Sequence, residues 1–198
     1  MLGYEEKRSK YFYDSCDVLM NKLDIKNPEE LEAYERQVVA LKLLIIDEAN
    51  FGDKFDKKRL SEIHSFLFSE IYDFAGEFRE ENLAKDDFRF ASCEFISSEL
   101  DRILEDLDNL EVFKELSAEE IADKLAYIMS ELNVVHPFRE GNGRTYREFI
   151  RQLAASLGYY LDWSKCDYKE IFDASVKSVY DYEDLTKVIS RCLSVKSS

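Results

Sequence analysis

Apolar residues recur every three to four positions over most of the chain, the spacing that places them on one face of an α-helix. The segment NPEELEAYERQVVALKLLIIDEAN opens with Asn27, a suitable N-cap, followed by Pro28 at the first helical position and by acidic residues in the first turn. Its apolar residues at helical spacing are Leu31, Tyr34, Val38, Leu41 and Ile45. The pattern predicts a long amphipathic helix with these residues on one face.

The same period continues along the chain. A helix is predicted after Asp56, a second after Ser117 and Glu120, which stand at capping-box spacing, and a third over TYREFIRQLAASLG, ending at Gly158. The tail predicts one or two more, around YKEIFDASVKSV and YEDLTKVISRCL.

The stretch FREENLAKDDFRFASCEFI, residues 78–96, does not follow the helical period. Two short segments flank the polar cluster Lys85-Asp86-Asp87, which is typical of a turn. We therefore predict a β-hairpin or an irregular flap between helices. Because no repeat, linker or low-complexity tract interrupts the chain, residues 1–198 are expected to form a single, mainly α-helical domain.

Composition agrees with that fold class and narrows the partners. With 198 residues, 45% hydrophobic and 14% aromatic, the chain can build one substantial core. Six glycines and two prolines are few for an all-β protein. The net charge of −15 disfavours direct binding to nucleic acid or to anionic membranes, although a local basic pocket is still possible.

The sequence also indicates a compartment. No apolar run reaches the ~20 residues of a membrane span, and the opening MLGYEEKRSK lacks the apolar core of a signal peptide. The four cysteines are scattered without a CxxC pair, at Cys16, Cys93, Cys166 and Cys192. This favours reduced thiols over a disulfide frame or a zinc site, so a cytoplasmic protein is expected.

The candidate functional residues lie close together in HPFREGNGRTYR, residues 136–147, between two predicted helices. The N-terminus of a helix exposes unpaired N–H groups and favours an anion. Gly141 and Gly143 let the backbone turn tightly and approach a ligand, and Asn142 adds a side-chain donor. The segment predicts a polyphosphate site.

Three charged residues extend this prediction. Arg144 and Arg147, three positions apart on the new helix, can both reach phosphate oxygens. Glu140 is the nearest carboxylate, and one carboxylate shared with phosphate oxygens and waters is a usual arrangement for Mg²⁺. The loop is neither a Walker A loop nor the dinucleotide fingerprint, because it lacks their lysine and third glycine, respectively.

His136 can serve as a base, since an imidazole with a pKa of ~6.5 is mostly neutral at pH 7 and can accept a proton from a hydroxyl. His64 is the other histidine, and nothing in the sequence places the two together, so zinc is not expected. Phe138 is expected to point into the core. Taken singly, each residue has an ordinary structural explanation, and their joint occurrence in twelve residues favours a phosphate site.

The whole segment resembles the signature of the Fic (filamentation induced by cAMP) family, HxFx(D/E)GNGRxxR, at every fixed position. IYDFAGEFRE resembles the segment leading into the family's flap, and NLAKDDFRFASCEFI resembles the flap itself. DVLMNKLDIKNPEELEAYE resembles the N-terminal part of bacterial Fic toxins. The resemblance implies a helical Fic-fold domain, with a small β-hairpin flap at about 78–96 and a catalytic loop at 136–144.

The resemblance also implies a reaction, the transfer of AMP from ATP to a hydroxyl of a target protein with release of pyrophosphate. By position it makes His136 the general base and Glu140 the Mg²⁺ ligand. The phosphate-binding residues that it implies are Gly141, Asn142, Gly143, Arg144 and Arg147.

Alternatives stay open within the resemblance. A relative can use another donor, such as UTP or CDP-choline, or can be a non-catalytic binding module, against which the intact His136 and Glu140 argue. A kinase branch departs at the loop glycines, which are present here. The nucleobase cannot be read from the loop, and the candidates for its pocket are Tyr159, Tyr160, Trp163 and Tyr168.

The resemblance finally implies partners. The flap would bind the target by strand addition, and the likeness to toxins suggests an essential ATPase such as a type II topoisomerase subunit. Fic enzymes are commonly restrained by a helix with the pattern (S/T)xxxE(G/N), whose Glu pairs with the second motif arginine, here Arg147. No Ser or Thr of these 198 residues is followed four positions later by Glu. We expect either a separate antitoxin that supplies the Glu, or a constitutively active enzyme whose restraint was lost or truncated.

Overall fold

The structure, a computed structural model, describes residues 9–85, 88–113 and 115–196. In these ranges it has seven α-helices, as the mainly α prediction requires. They are α1 (Pro28–Ile45), α2 (Lys57–Phe68), α3 (Ile96–Leu104), α4 (Ala118–Val135), α5 (Asn142–Ser156), α6 (Tyr168–Lys177) and α7 (Glu183–Cys192).

The helix starts follow their local signals. Asn27 Oδ1 accepts the Glu30 N–H at 2.9 Å at the start of α1. Asp56 caps α2 in the same way, and Ser117 with Glu120 forms the predicted capping box at the start of α4. These caps satisfy N–H groups that the first turn of a helix leaves unpaired.

The predicted hairpin is present. Strand β1 (Ala84–Lys85) pairs antiparallel with β2 (Phe88–Arg89), and we call residues 78–96 around it the flap. Of the predicted turn Lys85-Asp86-Asp87, the two aspartates lie outside the described residues. A second pair, β3 (Tyr159–Leu161) with β4 (Leu193–Val195), was not expected, because two three-residue strands far apart in sequence carry no pattern of their own.

Helix α4 lies at the centre and packs against α3, α5 and α7, while α2 packs against α1 and α5. The α4–α5 connection, which carries HPFREGNGRTYR, therefore starts and ends on buried helices. Phe138, Phe149 and Leu132 are fully buried there, and the expected inward position of Phe138 is confirmed. The site residues consequently stand on a rigid support.

Helix α1 differs from its predicted apolar face. The side chains that it buries are Leu31, Glu35 and Val39, whereas Leu41 and Ile45 are 65% and 47% exposed. The difference arises at Glu35, a carboxylate that is buried because it is paired, and which a hydrophobic pattern counts as a surface residue.

Membrane spans were sought among the described residues, and no helix there combines the length and the apolar character that a crossing requires.

Candidate active site

The predicted catalytic loop begins where α4 ends. His136 is the C-cap of α4, in the left-handed conformation (φ 49°, ψ 60°), and its N–H donates to the Leu132 carbonyl at 2.9 Å. Gly141, also left-handed at φ 78°, is the N-cap of α5. The loop thus joins the carbonyl end of one helix to the N–H end of the next, where an anion is favoured.

Asn142 holds this loop together. Its Oδ1 accepts the Phe138 N–H at 2.9 Å and the Tyr146 hydroxyl at 2.9 Å, and its Nδ2 donates to the Phe138 carbonyl at 2.8 Å. With 3% exposure, the side chain faces the protein interior. The expectation that this side chain donates to a ligand is therefore corrected. Its backbone N–H, in the first turn of α5, is what Asn142 can offer to an anion.

His64, to which sequence analysis assigned no role, supports the loop from α2. Its Nδ1 accepts the Gly76 N–H at 2.8 Å, so the proton sits on Nε2, which donates to the Glu140 carbonyl at 2.9 Å. The ring stacks on Phe138 with centroids 3.9 Å apart. Burial first, and then the Arg144 charge, lowers the pKa of His64 to about 4, so the loop rests on a neutral imidazole.

His136 is in a different environment. Its ring stacks on Phe90 of the flap, with centroids 4.0 Å apart and 21° between the planes. Burial, followed by the positive charge of Arg79, lowers the pKa of His136 to about 4. The backbone of Asn133 raises the pKa of His136, against these two effects. The Nδ1 atom of His136 is nevertheless buried and has no partner in hydrogen-bond geometry among the described residues. His136 is thus neutral at pH 7 and able to accept a proton.

The two motif arginines are not equivalent. Arg144 is paired with Glu35 of α1 at 2.5 Å and lies 3.5 Å from Glu140, and its guanidinium covers the Phe68 ring. The Tyr72 hydroxyl donates to the other oxygen of Glu35. Sequence reasoning missed Glu35, whose position on the buried face of α1 gives no signal of this contact. Arg144 is consequently neutralised and held in place before any ligand arrives.

Arg147, by contrast, has no ion pair within the described ranges. Its guanidinium carbon lies 6.0 Å from the centre of the Tyr168 ring, and burial, ahead of the Arg144 charge, lowers its pKa from the usual value. A half-buried guanidinium without a carboxylate attracts an anion, because the charge is desolvated and not yet compensated.

Two cavities meet at these residues. One, of about 400 Å³, has largely apolar walls from the flap and α6 and includes the ring of His136. The other, of about 630 Å³, is lined by Glu35, Glu140, Gly141 and Arg144. Residues that line both are Gly143, Arg147 and Phe172. Together they form a site with an apolar half and a charged half.

The four aromatic candidates for a base pocket need correction. Only Tyr168 lines either cavity, at the charged end, while Tyr159, Tyr160 and Trp163 lie outside both. Trp163 instead donates from its indole N–H to the Arg147 carbonyl at 3.3 Å. The apolar half is lined by side chains that the sequence did not single out, namely Phe88, Phe90, Phe172, Val176, Val179 and Tyr180.

A metal can be accommodated at one residue. Glu140 Oε1 accepts the Gly141 N–H at 2.8 Å, and its side chain is 44% exposed toward the charged cavity. No group of three His, Cys, Asp or Glu side chains suited to a metal occurs in the described part of the chain. One carboxylate completed by phosphate oxygens and water suits Mg²⁺, so the residues present fit that ion.

Comparison with known proteins gives a consistent result. The family model described as the Fic/DOC family matches residues 54–154. The chain is 36% identical over 191 residues to the protein adenylyltransferase VbhT of Bartonella schoenbuchensis, covering 96% of this chain and 40% of that protein. It is 30% identical over 193 residues to the probable protein adenylyltransferase Fic of Escherichia coli, covering 96% and 95%. The chain thus spans less than half of the first relative and nearly all of the second.

Solved structures agree. The BepC protein of Bartonella tribocorum with bound AMPPNP is 25% identical, with a TM-score of 0.85 and coverage of 94% of this chain and 97% of that one. The N-terminal Fic domain of a cell filamentation protein from Bartonella quintana, with bound ADP, is 27% identical, with a TM-score of 0.85 and coverage of 94% and 95%.

Proposed function

Because the chain belongs to the Fic/DOC family, we propose that it is a protein adenylyltransferase, which transfers AMP from ATP to a hydroxyl side chain of a target protein and releases pyrophosphate. The observation that carries this function is the joined site, in which a neutral His136 stands in the apolar half and Arg147, which forms no ion pair with any described residue, borders both halves. An adenosine triphosphate has the same division into an apolar base and a charged tail.

His136 acts as the general base. It accepts the proton of the target hydroxyl, the hydroxyl oxygen bonds to the α-phosphorus, and the bond from that phosphorus to the bridging oxygen of pyrophosphate breaks. Such a step depends on positioning and on charge stabilisation more than on covalent catalysis. The N–H groups at the start of α5, together with Arg147 and the pre-positioned Arg144, supply that stabilisation.

Glu140 is the residue that would hold Mg²⁺, which would neutralise charge on the phosphate oxygens when bound. Its half-exposed carboxylate in the charged cavity and its fixed hydrogen bond to Gly141 support this assignment. Gly143, exposed on the first turn of α5, leaves the backbone there open to a phosphate.

The target binds along the flap. Ala84, Lys85 and Arg89 of the two short strands are exposed, so an extended segment can pair with the hairpin edge and bring its hydroxyl toward His136. In keeping with the likeness to toxins, we propose an essential ATPase such as a type II topoisomerase subunit as the target. An antitoxin in trans could restrain the enzyme by pairing a glutamate with Arg147.

The test is transfer of label. The protein is incubated with Mg²⁺ and each α-³²P nucleoside triphosphate in bacterial lysate, beside the His136→Ala variant. We expect a labelled protein band from ATP that the variant does not produce. γ-³²P ATP is the matched control, since label from it would indicate a kinase. Label from UTP or CTP alone would show that this nucleotide, and not ATP, is the donor.

A further inference from the structure

Arg79 is the most deeply buried charged side chain near the site, with 2% exposure. No carboxylate lies within ion-pair distance of it in residues 9–85, 88–113 and 115–196. The neighbouring carboxylate of Glu81 is turned away and accepts from the Ser9 hydroxyl at 2.6 Å and the Lys10 N–H at 2.8 Å. A buried cation without a counter-ion is costly, so its other partners must justify its position.

Within the described residues, those partners are all backbone carbonyls. Nη1 donates to the Glu81 carbonyl at 2.7 Å and Nη2 to the Ala91 carbonyl at 2.5 Å. These two carbonyls stand at the two ends of the hairpin, one before β1 and one after β2. Arg79 therefore fixes the base of the flap with one planar group.

The same guanidinium reaches the end of α4. Nε donates to the His136 carbonyl at 2.8 Å and Nη2 to the Val135 carbonyl at 3.1 Å, while the Arg79 backbone N–H donates to the Pro137 carbonyl at 2.8 Å. The last carbonyls of a helix lack internal partners and carry the negative end of the helix dipole. A cation is stabilised there without a carboxylate.

Both ends of this network are next to the reacting groups. Ala91 follows Phe90, whose ring stacks on the ring of His136, and the Ala91 N–H donates to the Val134 carbonyl at 3.1 Å. The flap base and His136 are thus held to each other by the Arg79 guanidinium on one side and by the stacked rings on the other.

We infer that Arg79 is a positioning residue for the transfer reaction, which sets the distance between the flap, where the target hydroxyl is presented, and His136. The inference rests on the proposed function. A lysine keeps the charge but cannot donate to four carbonyls in a fork, so Arg79→Lys should lose positioning while nucleotide binding remains. Misplacement of about 1 Å can cost on the order of 100-fold in rate.

The experiment measures kcat and KM for AMP transfer with Arg79→Lys and Arg79→Gln. We expect kcat to fall by on the order of 100-fold, with the KM for ATP and the affinity for AMPPNP changed by less than about threefold. Arg59→Lys is the matched control. Arg59 is less buried than Arg79 but is likewise fork-bonded, to Gln152 and the Gly52 carbonyl. It lies outside the site, so kcat of the Arg59→Lys variant should stay within about twofold.

A folded Arg79→Lys variant with wild-type kcat would overturn the inference, and so would an equal loss of kcat and nucleotide affinity. If the Arg79 variants do not fold, hydrogen exchange of the wild-type protein decides. The Ala91 amide should then be protected to the same degree as the amide of His136, the C-cap of α4, and exchange at the rate of an open hairpin would refute the inference. Failure of the proposed function would be distinguishable, because wild-type protein would then label no target.

Discussion

Gly141 is the position in the site that has the least room for a side chain. Its φ is +78°, and a Cβ there would lie 2.4 Å and 2.5 Å from two ring atoms of Phe68 and 3.0 Å from a third. The Phe68 ring is fully buried between the rings of His64 and Tyr72. Because that ring cannot move aside, Gly141→Ala should displace the loop that carries His136.

The cost has two parts. A left-handed conformation costs a residue with a Cβ ~1–2 kcal/mol, and overpacking a closed core costs ~1–3 kcal/mol. The free energy of unfolding should therefore fall by ~2–5 kcal/mol in total. For a chain of this length each kcal/mol lowers Tm by ~2–4 °C, which gives an expected decrease of ~4–20 °C.

Thermal unfolding followed by circular dichroism measures this, with two glycine controls. Gly158 has φ +87°, and no described residue comes within 4 Å of its added Cβ, so Gly158→Ala should show only the conformational part. Gly143 is helical, and the nearest described atom to its added Cβ outside the local helix backbone is Arg147 Nη1, at 3.5 Å, so Gly143→Ala should keep or raise Tm. If Gly141→Ala loses no more than Gly158→Ala, the contact with Phe68 does not hold the loop.

Three further outcomes follow from the charges of the site. Since burial lowers the pKa of His136 to about 4, the base is deprotonated from pH 8 down to about 5, and kcat for transfer should stay flat over that range. An acid limb with an apparent pKa of ~6.5 would show an ordinary exposed imidazole. Arg147→Ala should weaken the binding of ATP more than the binding of AMP in calorimetric titration, because in the proposed site Arg147 contacts the distal phosphates. Equal losses of affinity would make it a structural arginine. Glu140→Ala or EDTA should suppress transfer while AMP binding persists; activity that survives chelation would remove Mg²⁺ from the mechanism.

The elements that the sequence predicted well are those governed by near neighbours. Asn27 and the Ser117–Glu120 pair cap their helices with groups three residues away, so the signal and its effect share one turn. The HPFREGNGRTYR segment is likewise held by internal hydrogen bonds, between Asn142 and Phe138. Local patterns of this kind can be read without knowing the tertiary structure.

What could not be predicted is the set of buried polar residues that support the site. Arg79 and His64 bind groups that lie 57 and 76 positions away along the chain. The partner of Glu35 is Arg144, which is 109 positions away. Two of the three bind backbone carbonyl groups, which every residue carries. Neither the residue type of the partner nor its distance along the chain can therefore be recognised in the sequence. A hydrophobic pattern places such residues on the surface.

The signature is long because its fixed residues have two different roles, which are to line the cavities and to support the loop from inside. Its fixed positions that line the cavities are His136, Glu140, Gly141, Gly143, Arg144 and Arg147. Phe138 and Asn142 face inward and bond to each other, and Gly141 also faces inward, against Phe68. Residue chemistry alone gave Asn142 a ligand-binding role, because an amide donor beside glycines suits a phosphate. The structure assigns that amide to the loop. In the proposed site the anion is therefore bound by backbone N–H groups, whose direction is correct only while the inward residues hold the turn. A change at an inward position should therefore reduce stability and transfer together, whereas a change at His136 or Arg147 should reduce transfer with stability nearly unaffected.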